Sequence, residues 1–249
     1  MSLQRYFLEV AYFGEGLSGF QIQENAPTVQ SSVAQAFLIF FRRPIELTGS
    51  SRTDAGVHAY QNFFHFDWEG AFDYRAVYNL NALLPDTIAI ISVREVPQDA
   101  HARFSALSRH YGYVVYNQKD PFLLGRGWYY PYALDKSLLE RMAQEILNNT
   151  YFEAFSKRNT QVKTYRCSIV TSKWVFGEGV MKYEVAGNRF LRGMVRGLVS
   201  SMLQVGRGNK TEDWFNRLFE EGNKAQADFS APPQGLFLEK VVYPAYLFE

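Results

Sequence analysis

The chain has 249 residues, 47% hydrophobic and 20% charged, the balance of a globular protein with one large or two modest domains. Its net charge of +1 does not declare a nucleic-acid binder, and no apolar run is long enough to span a membrane. A single cysteine, Cys167, excludes an intrachain disulfide and fits a reducing cytoplasm, and the N-terminal stretch with Arg5, Glu9 and Glu15 lacks the apolar run of a secretion signal.

Residues 6–12 read as a first strand. Phe13-Gly14-Glu15-Gly16-Leu17-Ser18-Gly19-Phe20 follows as a Gly-rich loop, but no Gly-Lys-Ser/Thr comes after it, so it is not a phosphate-cradling P-loop. Thr28 is a fitting N-cap for a helix in which Val29, Val33, Phe37 and Phe40 recur at helical spacing, and Pro44 stops it. Ile45 and Leu47, then Phe64 and Phe66, alternate with polar residues as strands do, on either side of a turn-rich stretch. Asp73 is placed to cap a second helix with Val77, Leu80, Ala82 and Leu83 inside, ending before Pro85, and residues 88–93 form a strand. The order strand, helix, strand, strand, helix, strand is the split ferredoxin-like pattern.

The second half repeats that order. Residues 111–116 read as a strand, and Asp135 caps a helix through Leu138, Leu139, Met142, Ile146 and Leu147. Strands follow near 167–175 and 180–185. Helical spacing returns at Phe190, Met194, Leu198 and Met202, a further helix runs from Thr211 through Phe219, and residues 236–242 close as a strand. The expected fold is α+β, with ferredoxin-like halves at 1–103 and 104–249.

Charge is segregated although its sum is small. No acid stands between Glu153 and Glu178, where Lys157, Arg158, Lys163, Arg166 and Lys173 lie. Between Glu184 and Glu212 the charges are Arg189, Arg192, Arg196, Arg207 and Lys210. Such runs suit either a phosphate-binding face or solvated strand edges and helix faces.

The most informative stretch is Gly49-Ser50-Ser51-Arg52-Thr53-Asp54-Ala55-Gly56-Val57-His58-Ala59. It places a cation, a hydroxyl and a carboxylate between glycines that permit unusual backbone angles and close ligand approach. From the residues alone this is a strand-connecting turn with a local ion pair, or a site. A carboxylate glycosidase on Asp54 would need a second acid, for which Glu46 and Asp67 are nearest in sequence. His58, His65, His101, His110 and Cys167 show no paired metal-ligand spacing, and no Gly-x-Ser-x-Gly elbow supports a serine triad.

This stretch resembles the signature loop of the tRNA pseudouridine synthase A family, in which Arg-Thr-Asp-Ala-Gly-Val-His surrounds the catalytic aspartate. The resemblance continues in four further segments. Gly19-Phe20-Gln21-Ile22-Gln23 is similar to the family's Gly-Trp-Gln-Arg-Gln, keeping an aromatic at Phe20 but replacing the arginine with Ile22. His101-Ala102-Arg103-Phe104-Ser105-Ala106 with Arg109-His110-Tyr111-Gly112-Tyr113 is similar to the second motif, Asn188 through Arg196 to the third, and Gly235-Leu236-Phe237-Leu238 to the last. Ser50-Ser51 depart from the family's more usual Ala-Gly but remain small.

The resemblance implies two ferredoxin-like halves forming a joined antiparallel sheet, with helices on one face and an RNA cleft between the halves. It implies conversion of uridine to pseudouridine in the anticodon stem-loop of tRNA, at uridines 38, 39 and 40, without cofactor or metal, by a cytoplasmic homodimer. Asp54 is then the catalytic carboxylate, with Arg52, Tyr111 and Arg196 beside it. Substrate contacts fall to Tyr111, Leu236, Phe20 and Arg189, and the acid-free run adds Arg158. A non-catalytic tRNA-binding or folding protein on the same scaffold is the alternative.

Overall fold

The computed structural model describes residues 3–157 and 162–248. It divides into two compact units, Met1–Leu107 with Phe237–Glu249, and Ser108–Leu236.

The first unit opens with β1 (Leu3–Tyr12), in which Tyr6, Leu8, Val10 and Tyr12 alternate inward on one face. α1 (Val29–Phe41) begins at a reciprocal cap: the Ser31 amide donates to the Thr28 hydroxyl and the Thr28 amide donates to the Ser31 hydroxyl. The amides of Val29 and Gln30 donate to the carbonyls of Gly19 and Phe20, which ties the helix start to the Gly-rich loop. The helix ends at Arg42 in the left-handed conformation, φ 55°, just ahead of Pro44. β2 (Thr48–Gly49) is short and β3 (His58–Glu69) is long, so one strand carries most of the loop between them. α2 (Ala76–Leu83) and β4 (Ile88–Val96) complete the expected order.

β1 pairs antiparallel with β3 and with β4, and β2 pairs with β3, which gives the ferredoxin-like order β4-β1-β3-β2. Phe37 of α1 packs its ring against Phe66 at 5.5 Å, and Phe66 stacks on Tyr6 at 5.6 Å, so the helix covers this face. Each such fully buried ring contributes about 1.5–3 kcal/mol of apolar transfer. Asp73 does not cap α2. Its carboxylate instead accepts from the Arg75 amide and guanidinium, and the helix starts at Ala76 with no side-chain cap. Only Ala76 and Leu80 of α2 are buried; Ala82 and Leu83 face solvent, because a single i, i+4 stripe suffices for so short a helix.

In the second unit β5 (Ser108–Tyr116) is joined by the short parallel strand β6 (Trp128–Tyr129), which local pattern did not announce. α3 (Lys136–Leu147) is capped by Asp135, whose carboxylate accepts from the Ser137 and Leu138 amides. β7 (Ile169–Phe176) and β8 (Val180–Gly187) give the antiparallel order β5-β8-β7. α4 (Met194–Gly206) is buried along most of its length, and the Trp174 indole N–H donates to Met202 Sδ at 3.4 Å. Phe190, expected in this helix, precedes it, because Gly193 at φ 75° interrupts the helical path. α5 (Glu212–Arg217) is capped by Thr211 and sets Phe215 into a cluster with Phe155 and Phe219.

The last strand, β9 (Leu236–Val242), belongs to the first unit from Phe237 onward, where His58 is opposite Phe237 and Ala59 opposite Leu238 in parallel register. The residues after it cover the face of the first sheet opposite α1. The Tyr243 ring meets Phe7 at 5.1 Å and Phe63 at 5.2 Å. Among the described residues no helix is long and apolar enough to cross a membrane.

Candidate active site

The Asp54 loop leaves β2 and enters β3. Along it Ser51, Thr53 and Val57 are buried, Arg52 and Ala55 are exposed and Asp54 is half-buried. Inward and outward positions therefore alternate, and the two charged side chains fall on the outward or half-open positions. The inward residues are fixed by hydrogen bonds. The Ser50 amide donates to the Phe63 carbonyl at 2.8 Å, and the Phe20 amide to the Thr53 carbonyl at 3.2 Å. The Val57 amide donates to the Asp54 carbonyl at 3.2 Å and closes the turn, with Gly56 at φ 77°.

The Gly-rich loop is locked against the Asp54 loop. The Gly14 amide donates to His58 Nδ1 at 2.9 Å, and the His58 ring stacks between Phe13 at 4.4 Å and Phe237 at 4.6 Å. A Cβ on Gly14 would lie 2.2 Å from the Val57 carbonyl oxygen, and one on Gly19, at φ 97°, 2.9 Å from the Thr53 carbonyl oxygen. Phe20, expected to touch substrate, is only 2% exposed. Its ring stacks on Phe64 at 4.4 Å beneath Gly49, leaving no free face for a base. Its place is under the loop.

Neither candidate for the second acid of a glycosidase lies at this end of the unit. Asp67 lies nine residues along β3 from His58, on the order of 30 Å at strand rise. There Arg5 binds it through Nε and Nη2, both at 2.8 Å, and holds its carboxyl below the usual range. Glu46 is exposed and precedes Thr48, which pairs with His65 toward the same far end. Arg5 also donates to the Ala100 carbonyl at 3.1 Å, and the Ala102 amide donates to His65 Nδ1 at 3.2 Å, pinning the start of the second motif. Among the described residues no three His, Cys, Asp or Glu side chains are grouped to hold a metal ion.

The second unit gathers the other motif residues around one segment. Tyr111 is 9% exposed and meets the edge of Phe190 at 5.1 Å. Tyr113 is fully buried and donates its hydroxyl to the Pro232 carbonyl at 2.7 Å; burial drives its phenol well above the ordinary range. Arg196, on the first turn of α4, donates Nε to the neighbouring Ala231 carbonyl at 2.7 Å. Gly235 sits against the Tyr113 ring, where a Cβ would come within 2.6 Å, and Leu236 follows it, 7% exposed. Arg109, to which the motifs assign no role, is buried and donates to the Asn188 carbonyl at 2.8 Å. Its place two residues before Tyr111 on the same strand face was the available signal.

The basic segment is more mixed than its lack of acids suggested. Arg166 pairs with Glu221, 55 residues on, at 3.2 Å, and Lys173 with Glu184, its partner across β7 and β8, at 3.3 Å. Lys157 lies over Gly193, and its amide donates to the Arg192 carbonyl at 3.0 Å. Arg189 stands near Cys167, where it partly offsets the burial that pushes the thiol up to about 11. Arg158 lies outside the described residues.

The family model described as tRNA pseudouridine synthase matches residues 142–244. A tRNA pseudouridine synthase A of Parabacteroides distasonis is 40% identical over 249 residues, 99% of this chain and 98% of that protein. The protein of the same name from Bacteroides fragilis is 39% identical over the whole of both chains. That from Staphylococcus epidermidis is 35% identical over 95% of this chain and 90% of its own.

Proposed function

The chain belongs to the tRNA pseudouridine synthase A family, and from that footing we propose that Asp54 carries the isomerisation of uridine to pseudouridine in the anticodon stem-loop of tRNA, at uridines 38, 39 and 40. The chain is a tRNA pseudouridine synthase, an isomerase. The observation that carries the assignment of Asp54 is its setting: a half-open carboxylate on a loop whose neighbours are tied inward, at the centre of the most specific motif.

The reaction breaks the C1′–N1 bond, turns the uracil, and joins C1′ to C5. N1 gains a proton, C5 loses one, and no oxidant, energy source or cofactor enters the balance. Breaking the glycosidic bond builds positive charge at C1′, which a carboxylate stabilises or captures. Asp54 fills that role. A stacked uridine must first leave its helix, so the nucleotide is flipped into a pocket. Tyr111 packs against the flipped base and takes the C5 proton. Leu236 lines the base, Arg196 answers the charge of Asp54, and Arg52 takes up the vacated space or a phosphate. Arg189 and Arg158 bind phosphate. The role of Arg158 rests on the acid-free run, and the others rest on the resemblance. So does the homodimer, for which light scattering of the purified chain is the check; the cytoplasmic setting also agrees with the single cysteine.

Asp54→Asn is the deciding test. Asparagine keeps the side chain's size but offers no carboxylate to C1′. Pseudouridine formation is expected to fall to background while tRNA affinity at fixed salt holds or improves slightly, since one negative charge near phosphate is gone. Wild-type turnover by Asp54→Asn would end the assignment. A non-catalytic binder would show no turnover in either form.

A further inference from the structure

Beneath the Asp54 loop lies a buried polar network. The Tyr12 and Thr53 hydroxyls share a hydrogen bond of 2.7 Å. Asn62 donates through Nδ2 to the Tyr12 hydroxyl oxygen at 3.1 Å and to the Ser51 carbonyl at 2.9 Å, and its Oδ1 accepts from the Phe63 amide at 2.9 Å. Asn62 is 0% exposed, Tyr12 5% and Thr53 8%. Their neighbours are aromatic: Phe20 packs on both Tyr12 and Phe64.

The strands are adjusted at this place. Val10 is opposite Asn62, and regular antiparallel pairing would put Tyr60 opposite Tyr12. Instead the register shifts and Ala59 stands there. Such bulges re-aim side chains and are frequent beside functional sites. Polar groups buried this deeply are unfavourable unless fully satisfied, and a core that needed only packing would be served by apolar side chains of the same volume. What the network grips is specific: residues 51 and 53, the neighbours of Arg52 and Asp54. The Thr53 carbonyl is held as well, by the Phe20 amide.

We propose that Tyr12 and Asn62 are positioning residues for Asp54. They touch no reacting atom. They hold Ser51 and Thr53 inward from two sides, so that the carboxylate just beyond them is presented at a fixed height and angle. This inference rests on the assignment of Asp54 made above. It predicts a defect in the chemical step that neither tRNA affinity nor folding shares.

The experiment compares Tyr12→Phe, Thr53→Val, Thr53→Ser and Asp54→Asn for kcat, KM, tRNA affinity and melting temperature, with rates normalised to folded protein and read well below each variant's unfolding transition. Tyr12→Phe and Thr53→Val, which remove a hydroxyl at nearly constant shape, are expected to lower kcat by about 10–100-fold with KM and tRNA affinity within about twofold, the scale of a catalytic group misplaced by a fraction of its length. Thr53→Ser, which restores the hydroxyl, is expected to stay within about threefold of wild type. Wild-type kcat per folded molecule in Tyr12→Phe, even with a lowered melting temperature, would overturn the inference and leave a purely structural network. The two readings separate cleanly. An inactive Asp54→Asn beside a fully active Tyr12→Phe removes only the positioning role, whereas an active Asp54→Asn removes the assignment of Asp54 and the inference with it.

Discussion

Tyr111 and Tyr113 stand two apart on one strand, and their surroundings separate their roles. Tyr113 has no exposed surface, donates its hydroxyl hydrogen bond to the Pro232 carbonyl, and is driven by burial far from ionisation. It anchors the segment that leads into Leu236. Tyr111 keeps some exposure and is steadied by the Phe190 edge. Tyr111→Phe is therefore expected to bind tRNA and lose about 10²–10⁴-fold in turnover. Tyr113→Phe is expected instead to lose about 1–3 kcal/mol of stability, because the Pro232 carbonyl is left without its donor. Kinetics and thermal unfolding of the pair distinguish the two roles. His65 makes a different prediction. Burial, then the neighbouring His101 and Arg5, lower its pKa from the ordinary 6.5 to about 4, with Asp67 opposing. Between those values the unfolded chain binds a proton that the folded chain refuses, so stability falls as pH drops through this window and levels off below it. His65→Asn keeps an acceptor for the Ala102 amide but does not titrate. Its melting temperature is expected to decline less steeply between pH 6.5 and about 4 than that of the wild type.

At the scale of elements, the Asp54 loop is held by its neighbours more than by its own turn. β2 supplies only a brief pairing, so the Gly-rich loop after β1 takes over the work of support. That loop is in turn fastened to the start of α1 through the Gly19 and Phe20 carbonyls. Gly14 is the tightest point. No side chain fits where a Cβ would lie 2.2 Å from a backbone oxygen, so Gly14→Ala must move one loop away from the other. Gly14→Ala is expected to lower both melting temperature and pseudouridine formation. Gly16→Ala, at φ 75° but with open space around it, is expected to lower only the melting temperature. Equal activity in Gly14→Ala and wild type would show that the loops adjust independently.

Across the whole molecule the charge pattern sets a prediction about RNA. Each phosphate contact releases counterions, so tRNA affinity should fall steeply with salt, and loss of one contact should lower the slope by about 1. Lys163 is exposed in the acid-free run, whereas Arg166 in the same run is already engaged by Glu221. Lys163→Ala is expected to give the shallower salt dependence and Arg166→Ala a smaller change. Identical slopes for Lys163→Ala and wild type would show that this run does not face the RNA.

What could be read without coordinates was what local chemistry decides. Periodicity announced the order of the strands and helices other than β6, Asp135 and Thr28 announced their helix starts, and the spacing of glycines around Asp54 announced the loop. Each of these depends on residues within a turn or two of one another. Asp73 misled because the same carboxylate had a nearer partner in Arg75. Phe20 misled because a motif position says nothing about which way a ring turns, and the core beneath Gly49 claimed it. The return of residues 237–249 to the first unit, the pairing of Arg166 with Glu221, and the bond between Tyr12 and Thr53 were decided only by tertiary structure. Their partners are separated by tens of residues, and no local pattern marks which distant donor will meet which acceptor once the apolar faces have closed.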